Sequence, residues 1–374
     1  MKHYPLAHPY ISKKEERYVM QTLRSGKLSI GPFIEKFEKK FAQYLGVKHA
    51  IAVSSGTAGL HLALIAAGVG EGDEVITSPF SFVASANAIL YVGAKPVFID
   101  IDSKTYNIDP SKIEARITKK TKAILPIHIF GQPAEMDAVM RIAKKHKLAV
   151  IEDACESLGS TFKNKNSGTF GEAGVFAFYA NKQLTTGEGG MIVTNDDRMD
   201  EMCRSLRNQG RGPDMQWLDH VRLGYNYRLD EMSSALGLAQ IENIRFLMKK
   251  RLELAKWYRE AFAACDLIEL PYTAPGSTNT YFVYVVRIRN KAISRDGVIE
   301  ALGKRGIASK QYLPSIHLFD FYRKQFGYKR GDYPVSEGVS DSTLALPFYI
   351  GLTKKDTTHI AKTLEEILRA YEKK

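Results

Sequence analysis

Lys182 stands between two apolar segments that read as strands, Val175 to Phe178 and Met191 to Thr194, and the connection carries Gly187, Gly189 and Gly190. An isolated lysine ordinarily lies along the surface with its ammonium in water. One that follows a buried-type strand and precedes a turn able to approach a ligand closely is placed differently. A desolvated lysine loses some preference for its charged form, and a neutral amine can form a Schiff base with a carbonyl. A carboxylate lies upstream: Leu148-Ala-Val-Ile-Glu-Asp153 is an apolar run ending in acid, the pattern of a buried parallel strand whose carboxyl end faces a crevice. Alone, Asp153 reads equally well as a helix cap or turn residue. Paired with Lys182 it suggests pyridoxal phosphate (PLP), which needs a Schiff-base lysine and an acid facing its pyridinium nitrogen.

The elements that would position this pair are legible as alternating patterns. Strands are expected at 49–54, 74–78, 96–101, 122–128, 148–153, 175–178 and 191–194, with helical segments between several of them. Such alternation implies a mainly parallel sheet with helices on both faces, its strand ends sharing one crevice. After the first strand, Ser55-Gly-Thr-Ala-Gly59 opens an apolar helix expected from Leu60, an anion site by its free N–H groups and dipole or a plain helix cap. Phe80 and Phe82 follow the second strand, where an aromatic could stack on a flat ring or pack in the core. Ahead of the sheet, an amphipathic helix from Pro9 to Ser25 carries Val19, Met20 and Leu23 on one side, and a second helix carries the core stripe Phe33, Phe37 and Phe41. A loop expected to be mobile starts at Gly210-Arg-Gly-Pro213. A long charged helix, 243–265, bridges to an α+β remainder with a strand at 280–288 and helices at 294–305 and 354–371. This divides the chain into a large domain, 1–245, and a small one, 246–374.

With 374 residues, 44% of them hydrophobic, the chain can bury a large core. No stretch has the apolar length of a signal peptide or membrane span, so a cytoplasmic protein without membrane association is expected. The three cysteines, Cys155, Cys203 and Cys265, are too few and scattered for a disulfide framework or a zinc site. The charge balance, 53 basic against 41 acidic residues, is spread without a basic stripe, which gives weak support to anionic ligands and reads more readily as a solvated surface than as a nucleic-acid site.

Across essentially its whole length the chain resembles the DegT/StrS family of nucleotide-sugar aminotransferases. The resemblance is carried by Leu28-Ser-Ile-Gly-Pro32, Ser54-Ser-Gly-Thr-Ala58, Gly72-Asp-Glu-Val-Ile76, Gly131-Gln-Pro133, Ile151-Glu-Asp-Ala154, Lys182 followed by Thr185-Thr-Gly-Glu-Gly-Gly190, and Gly224-Tyr-Asn-Tyr-Arg228. It implies a PLP-dependent transferase of fold type I, the aspartate-aminotransferase fold, with a seven-stranded sheet in the large domain. It further implies that Lys182 holds the cofactor, Asp153 faces the pyridine nitrogen, Gly56 and Thr57 hold the phosphate, and Phe82 stacks on the ring. Asn226 matches a residue that reaches the phosphate from a partner subunit, implying an active homodimer.

Two positions differ from the family's habit. Ala177 stands where a serine usually contacts the phosphate, a charge-assisted hydrogen bond worth about 1.5–3 kcal/mol; either another donor such as Ser55 or Tyr179 compensates, or PLP binds more weakly. Glu156 stands where Gln or His is frequent, as in perosamine-synthase-like members, and points to a 4-keto-6-deoxy sugar linked to a nucleoside diphosphate, with L-glutamate as amino donor. Ser29, Tyr312 and His317 are the candidates for lining the sugar site, and loss of His317 is expected to raise the sugar KM. Three rival readings are a sugar dehydratase, against which Lys182 argues because those relatives carry histidine there, a cyclitol aminotransferase, and a non-catalytic regulatory protein.

Overall fold

The seven apolar runs assemble into one sheet in the computed structural model, which describes residues 2–212 and 219–372. Strands β1 (His49–Val53), β2 (Glu74–Thr77), β3 (Lys95–Phe98), β4 (Thr121–Ile124), β5 (Ala149–Asp153), β6 (Ala173–Ala177) and β7 (Gly190–Thr194) lie in the order β1-β7-β6-β5-β4-β2-β3. Only β7 runs against the rest, paired antiparallel with β1 and β6. Parallel strands covered on both faces need nearly continuous apolar sequence, and β1, β5 and β6 are each buried at all but one residue. Residues 213–218 of the expected loop lie outside the described residues.

Helices α1 (Lys13–Ser25), α2 (Pro32–Leu45), α3 (Gly56–Ala66), α4 (Ala84–Tyr91), α5 (Met136–His146), α6 (Asp197–Arg207), α7 (Glu231–Glu242) and α8 (Ile244–Ala261) follow the predicted order with shifted ends. α1 starts at Lys13 rather than Pro9 because Ser12 and Glu15 close a capping box. Its buried face also differs from the expectation. Met20 and Leu23 are 44% and 46% exposed, whereas Glu15 and Thr22 are buried, Glu15 against α7, where Gln240 Nε2 donates to its Oε1 at 2.9 Å. Met20 and Leu23 are therefore turned away from this chain's core, while Val19 is half-buried. α2 keeps the aromatic stripe inside, and Glu231 of α7 accepts from the Phe33 and Ile34 N–H groups that the helix start leaves unpaired.

Past α8, strands β8 (Ile268–Glu269), β9 (Tyr284–Ile288) and β10 (Thr343–Leu346) form an antiparallel sheet in the order β8-β9-β10. The predicted strand at 280–288 is shorter than expected because Tyr281 takes a left-handed φ of 52°, which no ladder accepts. A separate apolar cluster surrounds this sheet, with Tyr258, Tyr284, Leu302 and Leu364 at its centre, and Tyr4 from the other end of the chain joins it. No described helix is long and apolar enough to cross a membrane.

Glu38 on α2 ties three elements together. It accepts from Arg204 and Arg207 of α6 at 2.8 and 2.6 Å and from the Ala52 N–H of β1 at 2.9 Å. Burial pushes its carboxyl up, yet Arg207 and Arg204 together overcome this and hold it below the usual range. A depressed folded-state pKa gives stability that is complete above the unfolded value of about 4.3 and disappears as pH falls through the folded value. Glu38→Gln should cost about 3 kcal/mol at pH 7 and flatten the acid limb of stability below about pH 5. Urea midpoints at pH 7 and pH 4 for both proteins test this; parallel pH dependences would refute it.

Candidate active site

Register brings the predicted residues to one edge. Val53, Gly190 and Ala177 lie side by side across β1, β7 and β6, and Asp153 faces Val175 across β5 and β6. Ser55 then caps α3, its Oγ accepting from the Ala58 N–H at 3.1 Å. The helix thus begins at Gly56 rather than Leu60. Glycine is required at two points of this junction. A Cβ at Gly56 would stand 2.7 Å from the Ala177 Cβ and 2.9 Å from Cys155 Sγ, and one at Gly190 would stand 2.6 Å from the Ser55 carbonyl. The Gly56 and Thr57 N–H groups have no acceptor among the described residues, so the first turn of α3 presents two donors and its positive end.

These donors open on a cavity of about 510 Å³ that Ser55, Gly56, Thr57, Phe82, Asp153, Glu156, Tyr179, Lys182 and Tyr312 all line. Nine of the twelve predicted residues therefore meet in one place. Asp153 is 6% exposed; its Oδ2 accepts from Ser85 Oγ at 2.6 Å and its Oδ1 from the Cys155 N–H at 3.1 Å. Ser81 stands 2.8 Å behind Ser85, completing a hydroxyl chain onto the carboxylate. Lys182 Nζ lies 3.5 Å from Glu156 Oε1 and 3.9 Å above the Phe282 ring. Burial raises the Glu156 carboxyl against the opposing pull of Lys182, while its Oε2 accepts from the Phe130 N–H at 2.9 Å. Burial and the Asp153 charge push the Cys155 thiol well up, so it stays protonated beside the acid.

The two phenylalanines separate. Phe80 is fully buried against Tyr106 and Phe130, whereas Phe82 is 63% exposed at the cavity rim. The Tyr312 hydroxyl lies 3.3 Å from Asn181 Nδ2, and burial pushes its phenol well up. Ser29 and Asn226 are exposed and do not line the cavity of their own chain. His317 is a correction: it is fully buried, with Nε2 3.0 Å from Glu337 Oε1 and its ring 4.7 Å from that of Tyr333. Its segment is pinned by the Ile316 N–H donating to the Pro79 carbonyl, so the imidazole packs in a polar core and offers the cavity no surface. The adjacent Glu152 is likewise structural, binding His128 and the N–H groups of Gly168, Phe170 and Gly171.

Sequence reasoning missed Ser81, Ser85, Asn181, Phe282 and Lys310, which all line the cavity: Ser81 and Asn181 follow strand ends, as Phe82 and Lys182 do, while Ser85, Phe282 and Lys310 lie on segments without that signature. The spacing of Ser81 and Ser85, four residues apart with Ser85 in the first turn of α4 and Ser81 just ahead of it, was the available signal. The donor set suits PLP: two N–H groups at a positive helix end for a phosphate, a fixed carboxylate for a pyridinium, and a lysine amine for an aldehyde.

The sequence profile of the DegT/DnrJ/EryC1/StrS aminotransferase family matches residues 9–365. GDP-perosamine synthase of Caulobacter vibrioides is 39% identical over 366 residues, covering 97% of this chain and 98% of that protein. The spore coat polysaccharide biosynthesis protein SpsC of Bacillus subtilis is 38% identical, covering 98% of this chain and 97% of its own length. Among solved structures, Helicobacter pylori PseC, an aminotransferase involved in the biosynthesis of pseudoaminic acid, superposes with a TM-score of 0.93 at 31% identity over 99% of this chain and 100% of that one. A profile match over nearly the whole chain, on a fold that carries the lysine, the acid and the helix start in one cavity, makes this protein a PLP-dependent member of the DegT/DnrJ/EryC1/StrS aminotransferase family.

Proposed function

We propose that the protein transfers the amino group of L-glutamate to a keto sugar carried on a nucleoside diphosphate, a 4-keto-6-deoxy sugar being the preferred acceptor. The observation that carries this reading is the convergence of Lys182, Asp153 and the α3 N-terminus on one cavity. Bound there, PLP supplies an electron sink that stabilises negative charge at the substrate carbon. Gly56 and Thr57 would hold its phosphate with their N–H groups, aided by the hydroxyls of Ser55 and Tyr179, which line the cavity where Ala177 contributes none. Asp153, fixed by Ser85, would keep the ring nitrogen protonated, and Phe82 would cover the ring. Glu156 would face the ring from the side of Lys182. The Lys182 amine, freed by the incoming donor, would carry the proton between the donor's Cα and the cofactor's C4′ in the first half-reaction and return it on the sugar in the second. Tyr312 would border the sugar.

Two copies complete the site in this reading. Asn226 and Ser29 are exposed yet outside their own cavity, and Leu223 at 83%, Ile30 at 67% and the outward row of α1 leave large apolar side chains uncovered nearby in sequence. A homodimer that buries them would bring Asn226 to the partner's phosphate and Ser29 to its sugar. The test is the visible spectrum of the PLP-loaded protein before and after L-glutamate, without sugar. Conversion of the cofactor band to the pyridoxamine form establishes the donor half-reaction; a band unmoved by glutamate refutes the donor assignment. A panel of keto sugar nucleotides and a cyclitol ketone then separates the acceptors.

A further inference from the structure

Arg251 on α8 is 5% exposed and has no carboxylate within ion-pair distance among the described residues. Buried guanidinium groups are normally paired with acid, because desolvation of an isolated charge is costly. Here the acceptors are two consecutive carbonyls. Nε and Nη2 donate to the Tyr281 oxygen at 3.2 and 2.9 Å, and Nη2 also to the Phe282 oxygen at 2.6 Å, while the guanidinium lies 4.9 Å from the Phe348 ring centre. Burial lowers its pKa to about 10, which leaves it charged at neutral pH.

The backbone that Arg251 grips is strained. Tyr281 has a φ of 52°, a left-handed conformation that bulky residues avoid. Phe130, opposite, has a φ of 55°, and its carbonyl accepts from the Phe282 N–H at 3.0 Å. The Tyr281 N–H is held by Asn279 Oδ1 at 2.7 Å. Such conformations persist only where the surroundings over-determine them. What this clamp delivers is the Phe282 ring, 2% exposed, with its face 3.9 Å below Lys182 Nζ.

We propose that Arg251 is a positioning residue that, through the carbonyls of Tyr281 and Phe282, holds the Phe282 ring beneath the Lys182 amine and so aims that amine into the cavity. The proposal rests on the assignment of Lys182 as the lysine that captures PLP. In capture the amine nitrogen forms a C=N bond with the aldehyde carbon, and the carbonyl oxygen leaves as water. An amine held over the ring reaches the aldehyde in fewer misdirected encounters than one free to sweep the cavity.

The experiment mixes cofactor-free protein with PLP and follows the visible band by stopped flow. Phe282→Leu should slow capture about fivefold, Arg251→Met by a similar factor, and the double variant no further, because both act through one ring. Arg251→Lys, which keeps a charge but loses the fork, should fall between wild type and Arg251→Met. Wild-type capture by Phe282→Leu overturns the proposal. So does Arg251→Met that melts earlier but captures normally, or two factors that multiply in the double variant. If Arg251→Met does not fold, Phe282→Leu and Arg251→Lys decide by the same criteria. Lys182→Ala is the control: an unchanged band there refutes the lysine assignment itself, an outcome distinct from normal capture by Phe282→Leu.

Discussion

Lys182→Ala protein will not convert L-glutamate to 2-oxoglutarate at a measurable rate, with turnover at least about a thousandfold below wild type. Two losses combine. The amine that captures PLP is gone, and so is the group that shuttles the proton at the donor's Cα, a role worth about 10²–10⁴-fold by itself. The fold should survive. Lys182 lies at the cavity surface, and Glu156, its ion-pair partner, keeps the Phe130 N–H as donor and has a carboxyl already raised by burial, so it can take a proton when the cation is removed. Thermal melting and circular dichroism should therefore match wild type while the lysine-linked cofactor band is absent. Turnover within tenfold of wild type would remove Lys182 from the chemistry.

Asp153→Asn should lower the rate of the donor half-reaction by about 10²–10³-fold, measured as single-turnover conversion of the cofactor band by glutamate. The two side chains have the same shape, and the Ser85 hydroxyl and Cys155 N–H that hold the acid can hold an amide. The charge is what changes. A neutral amide cannot sustain a protonated pyridine nitrogen, and the ring then withdraws electrons poorly. Ser85→Ala tests the same network one step back with a smaller loss, since Asp153 keeps its charge and one donor. An Asp153→Asn protein with the wild-type single-turnover rate would mean that the ring nitrogen does not depend on this acid.

The parts of the site that were legible in advance share one feature. Each follows an apolar run of strand length, and a parallel strand buried on both faces must end where polar residues begin. Asp153 after 148–152, Ser55 to Thr57 after β1, and Lys182 after β6 are of this kind. Because parallel strands all end on one edge, separate linear signals could be placed in one cavity without knowing the pairing. The same reasoning located α2, whose aromatic stripe has the helical period, and α7, whose Ala235, Leu238 and Ile241 are buried as expected.

The sequence by itself thus determined the sheet, its crevice and the lysine–acid–helix set, since periodicity and strand-end chemistry are local properties. Tertiary structure alone decided which way α1 turns, because Glu15 found Gln240 and was buried with Thr22 while Met20 and Leu23 faced out. It alone decided that His317 is a core residue, since its partner Glu337 lies 20 residues away and Pro79 pins its turn from across the molecule. It alone set Phe282 under Lys182, a contact made by a left-handed turn gripped from α8. Orientation about a helix axis, the environment of a polar side chain and the path of an irregular loop are all settled by packing between segments distant in the chain, and no local pattern of residue types encodes such contacts.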